Sequence, residues 1–282
     1  MTKSQLTRGK TATNDNSGAS EPKAPSTNLP DAILMGLRFY SRLPTGDTPH
    51  KTFDFKAMVR PLPFASLIIG VAPAFVLLML SVLGTPALFA ATIGVALMAI
   101  VTGAMAEDAF GDAMDGLFGG QTLERKLEIM HDSRHGTYGV LGIVAPFVLR
   151  VACLSALVAA SPLAAAAIWL ATTVLARSGA TWIAVTLPPA RADGLSASAG
   201  TLPAVAFYIG MGLALAISFV LIVPFSNIGN WILAVGFGAA VLILWRQFLQ
   251  KMLGGQTGDT IGAAQLLLEI AILSSFMFGV GQ

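Results

Sequence analysis

What constrains this chain most is a series of apolar stretches long enough to cross a bilayer, joined by connections that are alternately basic and uncharged. Leu62–Leu83, Pro86–Ala106, Gly136–Val158, Leu163–Leu187, Leu202–Pro224, Trp231–Leu249 and Ile261–Val280 are each mostly apolar. Each holds the about 20 residues that cover roughly 30 Å of hydrocarbon as a helix. Charged residues make up 11% of the chain against 55% hydrophobic, and mean hydropathy is +0.73. Soluble domains carry about 25% charged residues, so the expectation is an all-α, polytopic integral membrane helical bundle. It has about seven transmembrane helices, with Gly139, Gly142, Pro146 and the run Ala164–Ala167 allowing close helix contacts.

The charges orient the bundle. Basic residues occupy the N-terminal arm (Lys3, Arg8, Lys10, Lys23, Arg38, Arg42, Lys51, Lys56, Arg60) and later span ends (Arg125, Lys126, Arg134, Arg191, Arg246, Lys251). All of them fall on one side, whereas the connections near Gly84, Ser161 and Ser226 hold no charge. The positive-inside rule then puts the N-terminus and every polar loop in the cytoplasm. Residues 1–28 are rich in Thr, Ser, Asn and Lys and read as a disordered cytoplasmic tail, leaving 29–282 as a single membrane-embedded domain. No apolar run follows the early lysines closely enough for a cleavable signal peptide.

Two amphipathic helices are expected at the interface. In Leu29–Leu43 the residues Ile33, Leu34, Leu37, Tyr40 and Leu43 recur at helical spacing; in Thr122–Asp132, Leu123, Leu127 and Met130 share a face. The lone Cys153 offers neither a disulfide nor a thiolate metal site and reads as a packing residue. A net charge of +2, without a dense basic surface, excludes a nucleic-acid partner.

Chemistry concentrates in Glu107-Asp108-Ala109-Phe110-Gly111-Asp112-Ala113-Met114-Asp115, four carboxylates at the end of an apolar segment in a chain with 15 acidic residues. On a helix Asp108, Asp112 and Asp115 fall within an arc of roughly 60°. Carboxylates this close repel one another, and a hard divalent cation, magnesium or alternatively manganese, is the usual remedy. The plain alternative is a solvated helix end capping a span. Further along, Arg134 can fork onto a phosphate, and Asp132 either extends the metal site or holds Arg134. His131 and His135 are not counted as ligands. Arg150 and Arg177 lie inside spans, where an unpaired charge is costly, which makes Arg177 a functional candidate. Arg150 has no neighbouring partner in sequence, and Glu269 is a buried acid or a partner for one of them. Arg191, in the loop from Pro188 to Gly194, offers another guanidinium. The stretch Gly254–Gly262, with Thr257, Gly258 and Asp259 opening the last span, suits phosphate or metal-bound phosphate at a helix N-terminus.

Several stretches together resemble the cobalamin synthase family, the adenosylcobinamide-GDP ribazoletransferases. They are Phe39-Tyr40-Ser41-Arg42-Leu43-Pro44, Glu107-Asp108 through Asp112 and Asp115-Gly116, Asp132-Ser133-Arg134 with Gly136-Thr137-Tyr138-Gly139, Pro189-Ala190-Arg191, and Gly254-Gly255 with Thr257-Gly258-Asp259 and Gly262-Ala263. They run in the family's order. The family commonly has a His just before the Glu-Asp pair and a Gly after it; here Ala106 and Ala109 stand there, with the aspartate spacing intact.

The resemblance implies a bacterial inner-membrane enzyme with its site on the cytoplasmic face. It would join adenosylcobinamide-GDP to α-ribazole or its 5′-phosphate, with magnesium, releasing GMP. It implies metal ligands among Asp108, Asp112, Asp115, Asp132 and Asp259. Phosphate is met by Arg134, Arg191, Thr257 and Gly258, with Arg177 as a further binding residue. Arg134, Asp115 and Glu107 carry the catalysis, and either acid accepts the hydroxyl proton. A homo-oligomer is left open. The alternatives are a CDP-alcohol phosphotransferase, whose Asp-Gly-x-x-Ala-Arg opening is absent, a prenyltransferase, which expects two Asp-rich motifs, or a transporter with a midplane ion site.

Overall fold

The computed structural model describes residues 28–46, 54–132, 134–192 and 200–279. The expected tail, apart from Asn28, lies outside the described residues, as do Lys51, Ser133, Asp193, Gly194 and Val280. In chain order the helices are α1 (Leu29–Tyr40), α2 (Phe55–Val59), α3 (Leu62–Val82), α4 (Ala87–Thr102), α5 (Met105–Gly119) and α6 (Leu123–Ile129). They continue with α7 (Thr137–Ala160), α8 (Pro162–Ala180), α9 (Trp182–Thr186), α10 (Ala204–Ile222), α11 (Ile228–Leu253) and α12 (Gly258–Ser275). Among the described residues β pairing is confined to one isolated bridge, Pro189 with Gln256. The expected interfacial helices are α1 and α6.

Six segments are long and apolar enough to cross a membrane: Leu62–Val82, Thr137–Ala160, Pro162–Thr186, Ala204–Phe225, Ile228–Leu253 and Gly258–Phe278. α4 and α5, which meet at 87°, together have the length and apolarity of a seventh, as a broken span or a re-entrant loop. The expected straight span Pro86–Ala106 is therefore corrected. Gly103 (φ 66) and Ala104 (φ 54) both take left-handed backbone, which no helix can pass through. The end of α4 is closed by Gly103 N–H donating to Ile100 O at 3.1 Å and Ala104 N–H donating to Ala99 O at 2.6 Å. A side chain on the second of these residues makes the conformation cost about 1–2 kcal/mol. In return the chain restarts as α5 with Glu107 and Asp108 in its first turn, where the helix dipole favours carboxylates.

The bundle is organised around α8. With α9 it is 78% buried, against 17% for α11, so α8 is the central helix and α11 faces outward. The small residues of α8 admit its neighbours, and Gly94 of α4 lies under the Trp169 ring, where a Cβ would come within 3.1 Å of the indole. Lipid is as apolar as a leucine side chain, so close packing and polar links, more than hydrophobicity, hold such helices together.

The strongest polar link joins three helices. Arg150 of α7, 1% exposed, donates to Glu107 Oε1 of α5 at 2.7 Å and to Glu269 Oε2 of α12 at 3.3 Å. Gln265 Nε2 donates to the other oxygen of Glu269 at 3.2 Å. The partner that the sequence does not offer Arg150 is thus supplied by the fold, and Glu269 serves Arg150. Arg150→Leu would strand two buried carboxylates, and removing one partner of a buried pair costs roughly 3–5 kcal/mol. The variant should show a clearly lowered unfolding midpoint in detergent, and an unchanged midpoint would refute the assignment.

Candidate active site

The site starts from α5. Asp108 and Asp112 lie one turn apart, and His135, in the loop before α7, lies over both. Its Nε2 is 3.5 Å from Asp108 Oδ1 and its Nδ1 is 3.5 Å from Asp112 Oδ1. One ligand atom from each of the three falls within 4.8 Å of the others. Gly111, on the helix between the two acids, gives the ring room, since a Cβ there would sit 3.2 Å from His135 Cε1. The imidazole is the functional candidate that sequence reasoning passed over: it is 20 or more residues from the acids, and only the packing of α7 on α5 brings it back.

Asp115 creates that packing. Its Oδ2 accepts the Gly136 N–H at 2.6 Å and its Oδ1 accepts the Gly139 N–H at 2.7 Å. A carboxylate from α5 therefore satisfies free amides at the start of α7 and meets its dipole. Because Gly136 is fixed in this way, the preceding His135 is set above Asp112. Asp115 shares the helix with the other two acids but is turned toward α7 and is 7% exposed. Glu107, the other acid named for proton transfer, is 6% exposed and bonded to Arg150.

A second pair of loops closes the other flank. Ala190 N–H donates to Gln256 O at 2.8 Å and Gln256 N–H donates to Pro188 O at 2.9 Å, zipping the segment after α9 to the one before α12. Arg191 is thereby carried over Asp259, Nη2 to Oδ2 3.9 Å. Its Nη1 is 2.9 Å from His131 Nδ1. Guanidinium only donates, so His131 Nδ1 accepts and the ring proton sits on Nε2. Thr257 is fully buried and caps α12, accepting from Thr260 N while its own N–H donates to Thr260 Oγ1 at 2.9 Å. Gly258 and Asp259 follow it into the wall of a cavity.

Arg134 and Asp132 stand apart. Arg134 donates to Asp132 through Nε, Nη2 and its backbone N–H at 2.9–3.1 Å. Both side chains are exposed. These bonds hold the Asp132 carboxyl down to about 2 and raise Arg134 further. Of the two roles open to Asp132, the fold shows it holding Arg134.

The cavity, of about 220 Å³, is lined by Asp108, Asp259, Phe39, Tyr40, Phe55 and Arg177 among others. Arg177 is 2% exposed, its guanidinium carbon 5.6 Å from the Tyr40 ring centre, a cation–π contact. Burial pushes the Tyr40 phenol up to about 12, opposed by Arg177.

The Asp115 seat has a direct test. A Cβ at Gly139 would overlap the Asp115 carboxylate, and Asp115→Asn sets an N–H₂ against a backbone N–H. Gly139→Ala and Asp115→Asn should each lose about 1–3 kcal/mol of stability, read as a lower unfolding midpoint. Wild-type midpoints would refute the role.

The geometry is that of a chain in which scattered motifs, from α1 to α12, converge on one acidic cavity, and comparison with known proteins follows the same extent. The sequence model of the cobalamin-5-phosphate synthase family matches residues 32–277. A protein of Azorhizobium caulinodans named adenosylcobinamide-GDP ribazoletransferase is 39% identical over 245 residues, covering 86% of this chain and 93% of that one. Proteins of the same name from Rhizobium etli (strain CIAT 652) and Rhizobium meliloti are 40% identical over 240 residues and 38% over 256. These cover 84% and 89% of this chain, and 92% and 97% of theirs. No solved structure matches. Since the match takes in the acids, both glycine-rich segments and the zipped loops, the chain belongs to the cobalamin-5-phosphate synthase family.

Proposed function

We propose that the protein is an adenosylcobinamide-GDP ribazoletransferase, coupling that activated corrinoid to α-ribazole or its 5′-phosphate. The products are adenosylcobalamin or its 5′-phosphate, together with GMP. A ribose hydroxyl oxygen forms the new bond to phosphorus, the phosphorus–oxygen bond to GMP breaks, and the hydroxyl proton passes to a carboxylate. The observation that carries this reading is Asp108, Asp112 and His135 gathered together, with Asp108 on the wall of a cavity that Asp259 also lines.

Phosphoryl transfer asks the protein for positioning and charge neutralisation. The two carboxylates, Asp108 and Asp112, fit a hard divalent ion and would hold it. His135 either adds a nitrogen, which manganese accepts more readily than magnesium, or steadies the acids by hydrogen bonding. When bound, the ion supplies Lewis-acid neutralisation of the diphosphate oxygens. Arg191, steered by Asp259 and His131, takes up remaining phosphate charge. Asp115 and Glu107 are committed to α7 and Arg150, so the proton acceptor we assign is Asp259, the remaining carboxylate on the cavity wall. Asp115 acts through His135 as a positioning residue.

The chain is a multi-pass membrane protein, and we place it in the bacterial inner membrane with this site on the cytoplasmic face, on the distribution of its basic residues. In a Cys153→Ser background, an impermeant maleimide should label Leu83→Cys on intact cells and leave Gln121→Cys unlabelled. The reverse pattern would invert the topology.

The chemistry is tested by GMP release from adenosylcobinamide-GDP. Release should need an α-ribazole acceptor and a divalent ion, and chelation should stop it. His135→Ala should raise the magnesium concentration for half-maximal rate by about ten- to a hundredfold, and Asp112→Asn should do at least as much. GMP release indifferent to divalent ions and to Asp112→Asn would sink the proposal.

A further inference from the structure

The cavity is graded in burial. At its mouth the Asp108 side chain is 67% exposed and that of Asp259 is 22% exposed. Arg177, which also lines it, is 2% exposed, the deeply buried end of the gradient. The fold gives this guanidinium the face of the Tyr40 ring and the longer-range attraction of Glu269 and Glu107, but among the described residues no hydrogen-bonded counter-ion. Arg150 takes one oxygen each of Glu107 and Glu269, and Gln265 takes the remaining oxygen of Glu269. Among the described residues no carboxylate lies within ion-pair distance of Arg177. Its Nε and Nη1 have no hydrogen-bond partner. A buried charge-bearing donor left unmatched is costly, and a guanidinium is shaped to receive two oxygens of one phosphate or carboxylate.

The walls leading to Arg177 are aromatic. Phe39 meets Tyr40 edge-on at 4.7 Å and Phe55 at 5.6 Å, a surface suited to a flat ring. At about 220 Å³ the cavity is smaller than the roughly 300–1,000 Å³ that enclose a whole drug-sized ligand. It therefore holds no more than the smaller of the two substrates, the acceptor, and the anion that reaches Arg177 must be terminal. The diphosphate of a corrinoid-GDP conjugate is internal, with a bulky group on either side, and cannot reach a group so deeply buried. A phosphomonoester can.

Resting on the transferase reading above, we infer that Arg177 and the aromatic cavity form the acceptor subsite. The 5′-phosphate of α-ribazole 5′-phosphate lies on the Arg177 guanidinium, its base lies among Phe39, Tyr40 and Phe55, and its ribose hydroxyl is presented toward Asp259. Arg177 is then the residue that sets a preference for the phosphorylated acceptor over free α-ribazole.

The test is a binding titration of both acceptors to the full chain in lipid nanodiscs, without donor, alongside kcat/KM for each from GMP release. Wild type should bind α-ribazole 5′-phosphate about ten- to a hundredfold more tightly than α-ribazole, the range of a charge-assisted hydrogen-bonded contact. Arg177→Met should bring the ratio of the two acceptors, in binding and in kcat/KM, close to one. A merely structural lesion would weaken both alike and keep the ratio, which would overturn the inference. Equal wild-type affinities would overturn it too, as would an Arg177→Met effect confined to KM for adenosylcobinamide-GDP. Inorganic phosphate on wild type decides the matter if the variant does not fold. It should displace α-ribazole 5′-phosphate and leave α-ribazole bound, and displacement of neither or of both refutes the subsite. Absence of GMP from wild type with either acceptor would fell the transferase reading instead, leaving the binding ratio to judge the cavity.

Discussion

Arg150 neutralises two buried carboxylates at once, and much of the rest follows from that contact. It joins the deep end of α5 to α7 and α12 through Glu107 and Glu269, in surroundings where neither acid could remain charged alone. It also determines what is left over. With Arg150 bonded to both acids, Arg177 faces the cavity with no carboxylate in ion-pair distance among the described residues, and one oxygen of Glu107 is held by Arg150. A structural ion cluster and a binding site thus share one charge balance, and a change in the first is felt in the second.

The bundle was legible in the sequence because its signals are local. Runs of about 20 apolar residues have few alternatives to a membrane helix, and α3, α7, α10 and α12 begin within about three residues of where hydropathy puts them. The break in α4–α5 was not legible. Gly103 invites a left-handed turn, but Ala104 does not, and the hydrogen bond of its N–H to Ala99 O that helps hold it there carries no sequence signal. Likewise α11 runs four residues beyond Leu249 to Leu253, since polar Gln250 and Lys251 can leave the hydrocarbon while the helix continues.

The site divides in the same way. Asp108 and Asp112 share a face because helix geometry is fixed at 3.6 residues per turn. Asp115 satisfies that spacing too, yet its neighbour is α7, and periodicity cannot say which helix a face will meet. His135 was hidden for the converse reason: its partners come from another helix, and no spacing rule reaches across the chain. Arg191 and Asp259 lay in separate loops whose pairing depends on two backbone hydrogen bonds between Pro188, Ala190 and Gln256. The resemblance linked these loops by shared motifs, and the fold supplies the contact. Arg134, by contrast, carried the motif but is engaged with Asp132 at the surface.

The helix that bears the acids is moored at both extremities, by Glu107 on Arg150 and by Asp115 on the amides of Gly136 and Gly139. Between those moorings it behaves as a strut with no slack in it. Its two anchors set the rotation of the helix about its own axis, so that the face carrying Asp108 and Asp112 is presented at a fixed angle to α7 and α12.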